Sequence, residues 1–311
     1  MSKTQDPGTS TPAAALWLRE LRLYSVTASV TPVLLALGLA RVQHLPTPAW
    51  MVASVLATAV LLHLGTNLIN DAADLWKGVD RPGTTGGSGL LTSGLIESRT
   101  VYRVGIALLV AAGVCGLPVV FVRGWPVVAL GLLGALGGFA YTAGPAYKYH
   151  GLGDLGVFLL MGPMLVDAAF YAMTGCTDPG ALVRVTLASL PVAFLVTAIL
   201  AVNNFRDFDD DASAGITTMV HWLGWRWARH YTISLFALAL IASAALVVGR
   251  IVPATVAVAA LAFLPAWGVV RDLSLRSARQ CGQAHVVERT AKVHAMYGVL
   301  SFAALLVASM L

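Results

Sequence analysis

The 311-residue chain reads as an all-α, polytopic membrane protein, on three observations. It is 58% hydrophobic and only 11% charged, with a mean hydropathy of +0.78, which is more than a soluble core requires. Its apolar runs recur at membrane length, about 20 residues each. Its 20 Lys and Arg residues are shared unevenly between the polar segments that separate those runs. The alternating pattern of a membrane β-barrel is absent.

Nine spans follow in order. Residues 1–22 are polar and contain Pro, Thr and Ser, so they read as a short disordered tail. The run after them is too long for the apolar core of a signal peptide, and the first span, 24–42, is expected to be retained. The second span, 50–70, ends where Asn and Asp accumulate. A long loop, about 75–100, leads to the third span, 101–121, and Arg123-Gly124 marks the turn into the fourth, 125–143. Gly144-Pro145 stops that helix. The fifth span covers 152–174, and Asp178-Pro179-Gly180 precedes the sixth, 182–203. Arg250 parts the seventh and eighth, 231–249 and 251–270, and the ninth covers 292–311. Residues 23–311 therefore form one membrane domain.

With nine spans, the N-terminus and the even-numbered loops share one side. Arg41, Arg123, Arg184 and Arg250 fall on the opposite side, and the other 16 of the 20 basic residues, Lys3 and Arg279 among them, fall on the first. The positive-inside rule then puts the N-terminus and the long loops in the cytoplasm, with the chain in the cell membrane. The net charge of +5 reads as topology and attraction to anionic lipid. No basic stripe with interleaved aromatics supports a nucleic-acid partner. Cys115, Cys176 and Cys281 lie far apart, without a C-x-x-C pair, and suggest neither a zinc site nor a disulfide framework.

Two Asp-rich stretches carry the chemistry. Asp71 and Asp74 lie at the end of the second span, and Asp207, Asp209, Asp210 and Asp211 after the sixth. On helices, Asn67, Asn70, Asp71 and Asp74 share one face, as do Asn203, Asp207 and Asp211. Asn67 and Asn203 have the same 136-residue offset as Asp71 and Asp207, which suggests an internal pseudo-repeat with one shared site. Such negative charge beside apolar segments is costly without a bound cation. Hard oxygen ligands favour Mg²⁺, which commonly bridges to phosphate oxygens. A diphosphate ester is the natural ligand, because neutralising the leaving group eases loss of pyrophosphate and leaves a carbocation where the ester is allylic.

Lys77, Lys148 and Arg206 share the cytoplasmic side and can clamp the remaining phosphate charge. The glycine-containing run from Lys77 to Gly89 can wrap closely round a ligand. Lys148 reads equally as a snorkelling residue, and Tyr141 as an interfacial anchor or as a phenol against phosphate or cation; both are candidate substrate contacts. Asp209 and Asp210 read as solvated, with Asp207 and Asp211 inward. His63, one turn before Asn67, reads as a hydrogen-bonded core histidine and stands outside the candidate site.

At these residues the chain resembles the UbiA superfamily of intramembrane aromatic prenyltransferases, most of all its 1,4-dihydroxy-2-naphthoate polyprenyltransferase branch. Five segments in order carry the likeness: Asn67 to Asp80; the glycine-rich run Gly86 to Gly94; Tyr141 to Pro145 with Tyr149 to Asp154; Asn203 to Thr218; and His294 with Gly298. The resemblance implies nine helices around a central cavity open to lipid. It implies that Asn70, Asp71, Asp74, Asp207 and Asp211 carry Mg²⁺ and the diphosphate catalytically. Asn67, Lys77, Asp80, Tyr141, Lys148, Asn203 and Arg206 would then contact substrate. The implied reaction moves an isoprenoid chain from an allylic diphosphate to an aromatic acceptor, dihydroxynaphthoate, on the route to menaquinone.

Two positions depart from the branch. Ile216 stands where a lysine is usual, and Asp167 where a glycine is usual. They keep open a terpene cyclase that ionises the same donor without an acceptor. A third reading, an ion-coupled transporter, is weakened by the position of the clusters at helix ends rather than at midplane. The charge asymmetry predicts a cytoplasmic N-terminus and an external C-terminus. Reporter fusions after Leu311 and within the 75–100 loop are expected on opposite sides; both on one side would remove a span.

Overall fold

The computed structural model describes residues 12–84, 87–277, 280–281 and 284–311. Among them nine helical segments are long and apolar enough to cross a membrane: Leu23–Val42, Ala49–Trp76, Ser98–Arg123, Trp125–Thr142, Gly153–Thr174, Pro179–Arg206, Met219–Val248, Ala254–Leu275 and Val286–Met310. The order is the expected one. Several segments outrun their apolar stretch, because backbone hydrogen bonds continue where side chains turn polar. The second helix reaches Trp76 and so carries Asn67 through Asp74 without a break. The sixth begins where the Asp178 side chain accepts from the Ala181 amide at 2.7 Å, with Pro179 following. The seventh starts at Met219 behind a capping box of Thr218 and His221, and bends at Gly224.

The expected tail differs in its describable part. Residues Ala13–Glu20 form a helix, and Leu16, Trp17 and Leu21 pack against a small cluster of Leu68, Leu90, Ile96 and Val101. Glu20 is buried and accepts a hydrogen bond from the Ser88 hydroxyl. The polar composition of residues 1–22 concealed a short apolar face, so residues 12–22 are not a disordered tail. Residues 1–11, with Lys3, and the positions of Gly86 and Arg279 lie outside the described residues.

Packing is tightest around the sixth span, where Val192, Ala193, Leu195, Ala198, Val202 and Phe205 are fully buried. Small residues set two close approaches. A Cβ on Gly65 would come 2.8 Å from the Gly105 carbonyl oxygen, so the second and third spans meet backbone to backbone. In the fifth span, Pro163 has no N–H to donate, and Leu160–Met164 forms a π turn with Gly162 at φ −97°, ψ −107°. A Cβ on Gly162 would lie 2.3 Å from the Ala193 Cβ. Leu160, Met161 and Met164 of this bend line the central cavity.

Gly162→Ala is expected to overpack the contact with Ala193 and to destabilise the protein by about 1–3 kcal/mol. Thermal unfolding in detergent measures this; an unchanged midpoint would show that the fifth and sixth spans do not meet there.

Candidate active site

The spans enclose a cavity of about 290 Å³. One end is polar. Asn67, Asn70, Asp71 and Asp74 enter from the second span, Asp80, Thr84 and Gly87 from the loop after it, and Lys148 from the segment before the fifth. Asn203 enters from the end of the sixth span, with Asp207, Asp210 and Asp211 just beyond it. Leu62, Val157, Leu160, Met161, Val196 and Ile199 make the other end apolar. A charged head and a hydrocarbon tail are thus matched by the two halves of one space.

The second Asp-rich stretch is not one unbroken helix. The sixth span ends at Arg206, and Phe208–Ser213 forms a separate short helix. The Asp211 amide still donates to the Asp207 carbonyl at 2.8 Å, which keeps both carboxylates on the cavity side. Asp209 is exposed, but Asp210 lines the cavity, contrary to the expectation that both are solvated.

Each cluster is met by cations of the protein. Arg22 pairs with Asp71. Lys148 pairs with Asp74 at 2.7 Å, and the Tyr149 hydroxyl also donates to Asp74. Arg206 grips both Asp207 oxygens, Nε at 2.6 Å and Nη2 at 2.7 Å, and gives Nη2 to the Asn203 oxygen at 2.8 Å. Tyr141 lies edge-on to Tyr147, with Lys148 Nζ 5.7 Å from the Tyr141 ring centre.

Lys77 and Arg206 stand outside the lining. Lys77 donates to the Thr142 carbonyl and sits 4.7 Å from the Tyr149 ring centre, so it braces Tyr149. Arg206 reaches the cavity only through Asp207 and Asn203. Ile216 is buried and away from the lining. Asp167 accepts from Thr186 at 2.7 Å, tying the fifth span to the sixth, and is also outside the lining.

Sequence reasoning did not single out Arg22 or Ser25, named Tyr149 only as part of a matched segment, and set His63 outside the candidate site. Arg22 adopts a left-handed backbone, φ 44°, at the corner between the first helix and the first span; a contact made that way leaves no periodic signal. Ser25 and Asn67 meet His63 on the cavity wall, with Ser25 Oγ 3.0 Å from His63 Nε2.

Among the described residues, no three His, Cys, Asp or Glu side chains converge as a ready-made metal site. The donor set nevertheless suits Mg²⁺. The Asn70 Oδ1 and Asp71 Oδ2 atoms are buried and lack a hydrogen-bond partner among the described residues, and both residues line the cavity. Burial and the nearby Asp74 and Asp71 carboxylates push Asp80 up to about 6. Burial, opposed by Lys148 and reinforced by Asp207 and Asp74, pushes Asp211 up to about 7. Burial acts to lower Arg22 and Lys148, but Asp71 and Asp74 outweigh it, and both end above their ordinary values, firmly cationic. The polar end therefore holds more carboxylates than cations among its lining residues, a balance that a divalent cation would relieve.

A multi-pass membrane protein with charged groups gathered at one end of an apolar cavity is the class this architecture defines. The chain belongs to the UbiA prenyltransferase family, whose model matches residues 29–287. It is 31% identical over 214 residues to UbiA prenyltransferase domain-containing protein 1 of Mus musculus, covering 68% of this chain and 62% of that protein. The 1,4-dihydroxy-2-naphthoate octaprenyltransferase of Bacillus subtilis (strain 168) is 28% identical over 221 residues, 71% of this chain and 70% of that one. Two solved structures share the fold, each over 93% of this chain and 98% of the other. The apo UbiA homolog from Aeropyrum pernix K1 has a TM-score of 0.69 at 18% identity. The UbiA homolog from Archaeoglobus fulgidus bound to DMAPP and Mg²⁺ has 0.59 at 16%.

Because a ligand carboxylate must be ionised to bind metal, apparent affinity for Mg²⁺ with pyrophosphate is expected to fall about tenfold between about pH 8 and about pH 6 as Asp211 takes up a proton. Calorimetric titration checks this, and Asp211→Asn should flatten the dependence while weakening binding.

Proposed function

We propose that the chain is a Mg²⁺-dependent intramembrane prenyltransferase that moves an isoprenoid chain from an allylic diphosphate to an aromatic acceptor, 1,4-dihydroxy-2-naphthoate or a close relative. The observation that carries the reading is the single cavity with carboxylates and cations at one end and hydrocarbon at the other. Family membership supports it, as do the octaprenyltransferase activity of the Bacillus subtilis relative and the DMAPP and Mg²⁺ in the Archaeoglobus fulgidus homolog.

Asn70, Asp71, Asp74, Asp207 and Asp211 would hold the metal, which supplies charge neutralisation on the departing diphosphate. Arg22 and Lys148, drawn from Asp71 and Asp74, would bind the diphosphate oxygens. Asn67, Asp80 and Asn203 border the same space and would orient the head group and its metal. Tyr141 would place a ring face near the allylic cation. Lys77 and Arg206 would hold Tyr149, Asn203 and Asp207 in place rather than touch the donor. The apolar end keeps water from the cation until the electron-rich ring attacks it, and leaves the donor chain to extend into lipid. The chain's membrane is the cell membrane, with these loops on the cytoplasmic side. Ile216 and Asp167 stand outside the cavity lining, and the cyclase they suggested differs from the transferase in needing no acceptor.

Asp71→Asn and Asp207→Asn are each expected to reduce product formation by orders of magnitude, on the order of 100-fold or more, with folding retained in detergent. Mass analysis of products from Mg²⁺, allylic diphosphates of several lengths and candidate aromatics is the measurement. Rapid acceptor-free formation of a cyclic product, or a wild-type rate in either variant, would overturn the reading.

A further inference from the structure

We infer that Ser25, His63 and Asn67 form the acceptor subsite of this cavity, with Ser25 and His63 relaying the hydroxyl proton of the aromatic ring; this rests on the transferase reading above. All three residues line the cavity. His63 sits one helical turn, about 6 Å, beyond Asn67 toward the apolar end, past the carboxylates that would hold the donor's head group. Ser25 Oγ is 3.0 Å from His63 Nε2 and 3.1 Å from Asn67 Nδ2, and Asn67 Nδ2 is 3.1 Å from His63 Nε2.

The amide N–H of Asn67 can only donate, so His63 Nε2 carries a lone pair, and the Ser25 hydroxyl is placed to donate to it as well. Three polar side chains grouped on the wall of a largely apolar cavity are a cost that a hydrocarbon ligand alone would not offset. An oxygen-bearing ring would offset it. His63 is also the sole imidazole lining the cavity among the described residues. The carboxylates Asp71, Asp74 and Asp207 are each held by a cation, and Asp80, Asp210 and Asp211 lie with them at the polar end, whereas His63 stands a helical turn away toward the apolar end, where the ring would lie.

The chemistry balances. The allylic C–O bond breaks and its electron pair leaves with pyrophosphate. A π pair of the ring forms the new C–C bond to the allylic carbon, and the ring hydroxyl becomes strongly acidic as it does so. Ser25 passes its proton to His63 Nε2 and takes the hydroxyl proton, and the O–H pair becomes the C=O of a neutral ring ketone. The ring regains aromaticity by giving the proton of the attacked carbon to the released pyrophosphate, or by losing carbon dioxide where that carbon bears a carboxylate. The imidazolium returns its proton through Ser25 to the oxygen. A neutral imidazole suffices, because the proton it accepts comes from a cationic ring rather than from a resting phenol.

The test compares two acceptors, one a neutral phenol at the assay pH and the other already ionised there. His63→Gln and Ser25→Ala are expected to slow transfer to the neutral phenol by about 100-fold, the size of a lost proton-transfer group. Transfer to the ionised acceptor should fall by less than about 3-fold, because that ring has no hydroxyl proton to lose. Calorimetric binding of Mg²⁺ and pyrophosphate verifies that the donor end is still formed. Equal losses with both acceptors, or no loss with either, would overturn the relay. Failure of the unaltered protein to release pyrophosphate from allylic diphosphates with any aromatic would instead bring down the transferase reading, and this subsite with it.

Discussion

A carboxylate buried among apolar helices needs a partner of opposite charge, and the polar end of this molecule is arranged around that need. Asp71, Asp74, Asp207 and Asp211 are each less than a tenth exposed, in surroundings where an unpaired charge would be prohibitive. The chain answers from three separate places: Arg22 at the corner before the first span, Lys148 before the fifth, and Arg206 at the end of the sixth. Each pairing fixes a segment that sequence distance would otherwise leave free. The short N-terminal helix is held because Arg22 must reach Asp71 and because Glu20 is tied to Ser88. The loop after the second span then closes over the same end, where Gly87 and Asp80 border the cavity.

The apolar end depends on backbone geometry. Pro163 and Gly162 break the regular helix of the fifth span, and the absence of a side chain on Gly162 lets that bend lie against Ala193. The sixth span is the buried axis on which this contact rests, and it also ends at Asn203 and Arg206. Movement at the bend would therefore be transmitted along one rigid helix to the second Asp-rich stretch. Asp154 adds a further link, accepting from Asn204 at 3.3 Å and from Tyr231 at 3.0 Å, so that the fifth, sixth and seventh spans meet just below the charged groups.

Much of this is legible in the sequence, for physical reasons that differ by residue. The nine spans are readable because apolar length is dictated by the thickness of the bilayer. Asn67, Asn70, Asp71 and Asp74 are readable as one face because the 3.6-residue period fixes their directions. The start of the seventh span is not, since polar residues from Met219 onward continue the helix without raising hydropathy. Arg22 could not be found by period or motif, because a left-handed corner delivers it; Tyr149 lies in a matched segment, but the contact of its hydroxyl with Asp74 depends on a short 3₁₀ turn. His63 illustrates a different limit. Its spacing from Asn67 was plain, but a core histidine and a cavity histidine share that spacing, and only Ser25, from another segment, separates the two.

The pairing of carboxylates with internal cations also bears on how such a site can accept its ligands. Arg22 holds Asp71 through Oδ1 and Lys148 holds Asp74 through Oδ2, so the proposed metal would compete with them for these carboxylates. A divalent ion alone would have to displace them and strand two buried cations, which is unfavourable in this environment. A diphosphate alone would have to approach a surface rich in carboxylate. With both present the exchange would balance: Asp71 and Asp74 would hold the metal, which would supply charge neutralisation, and Arg22 and Lys148 would turn to the phosphate oxygens.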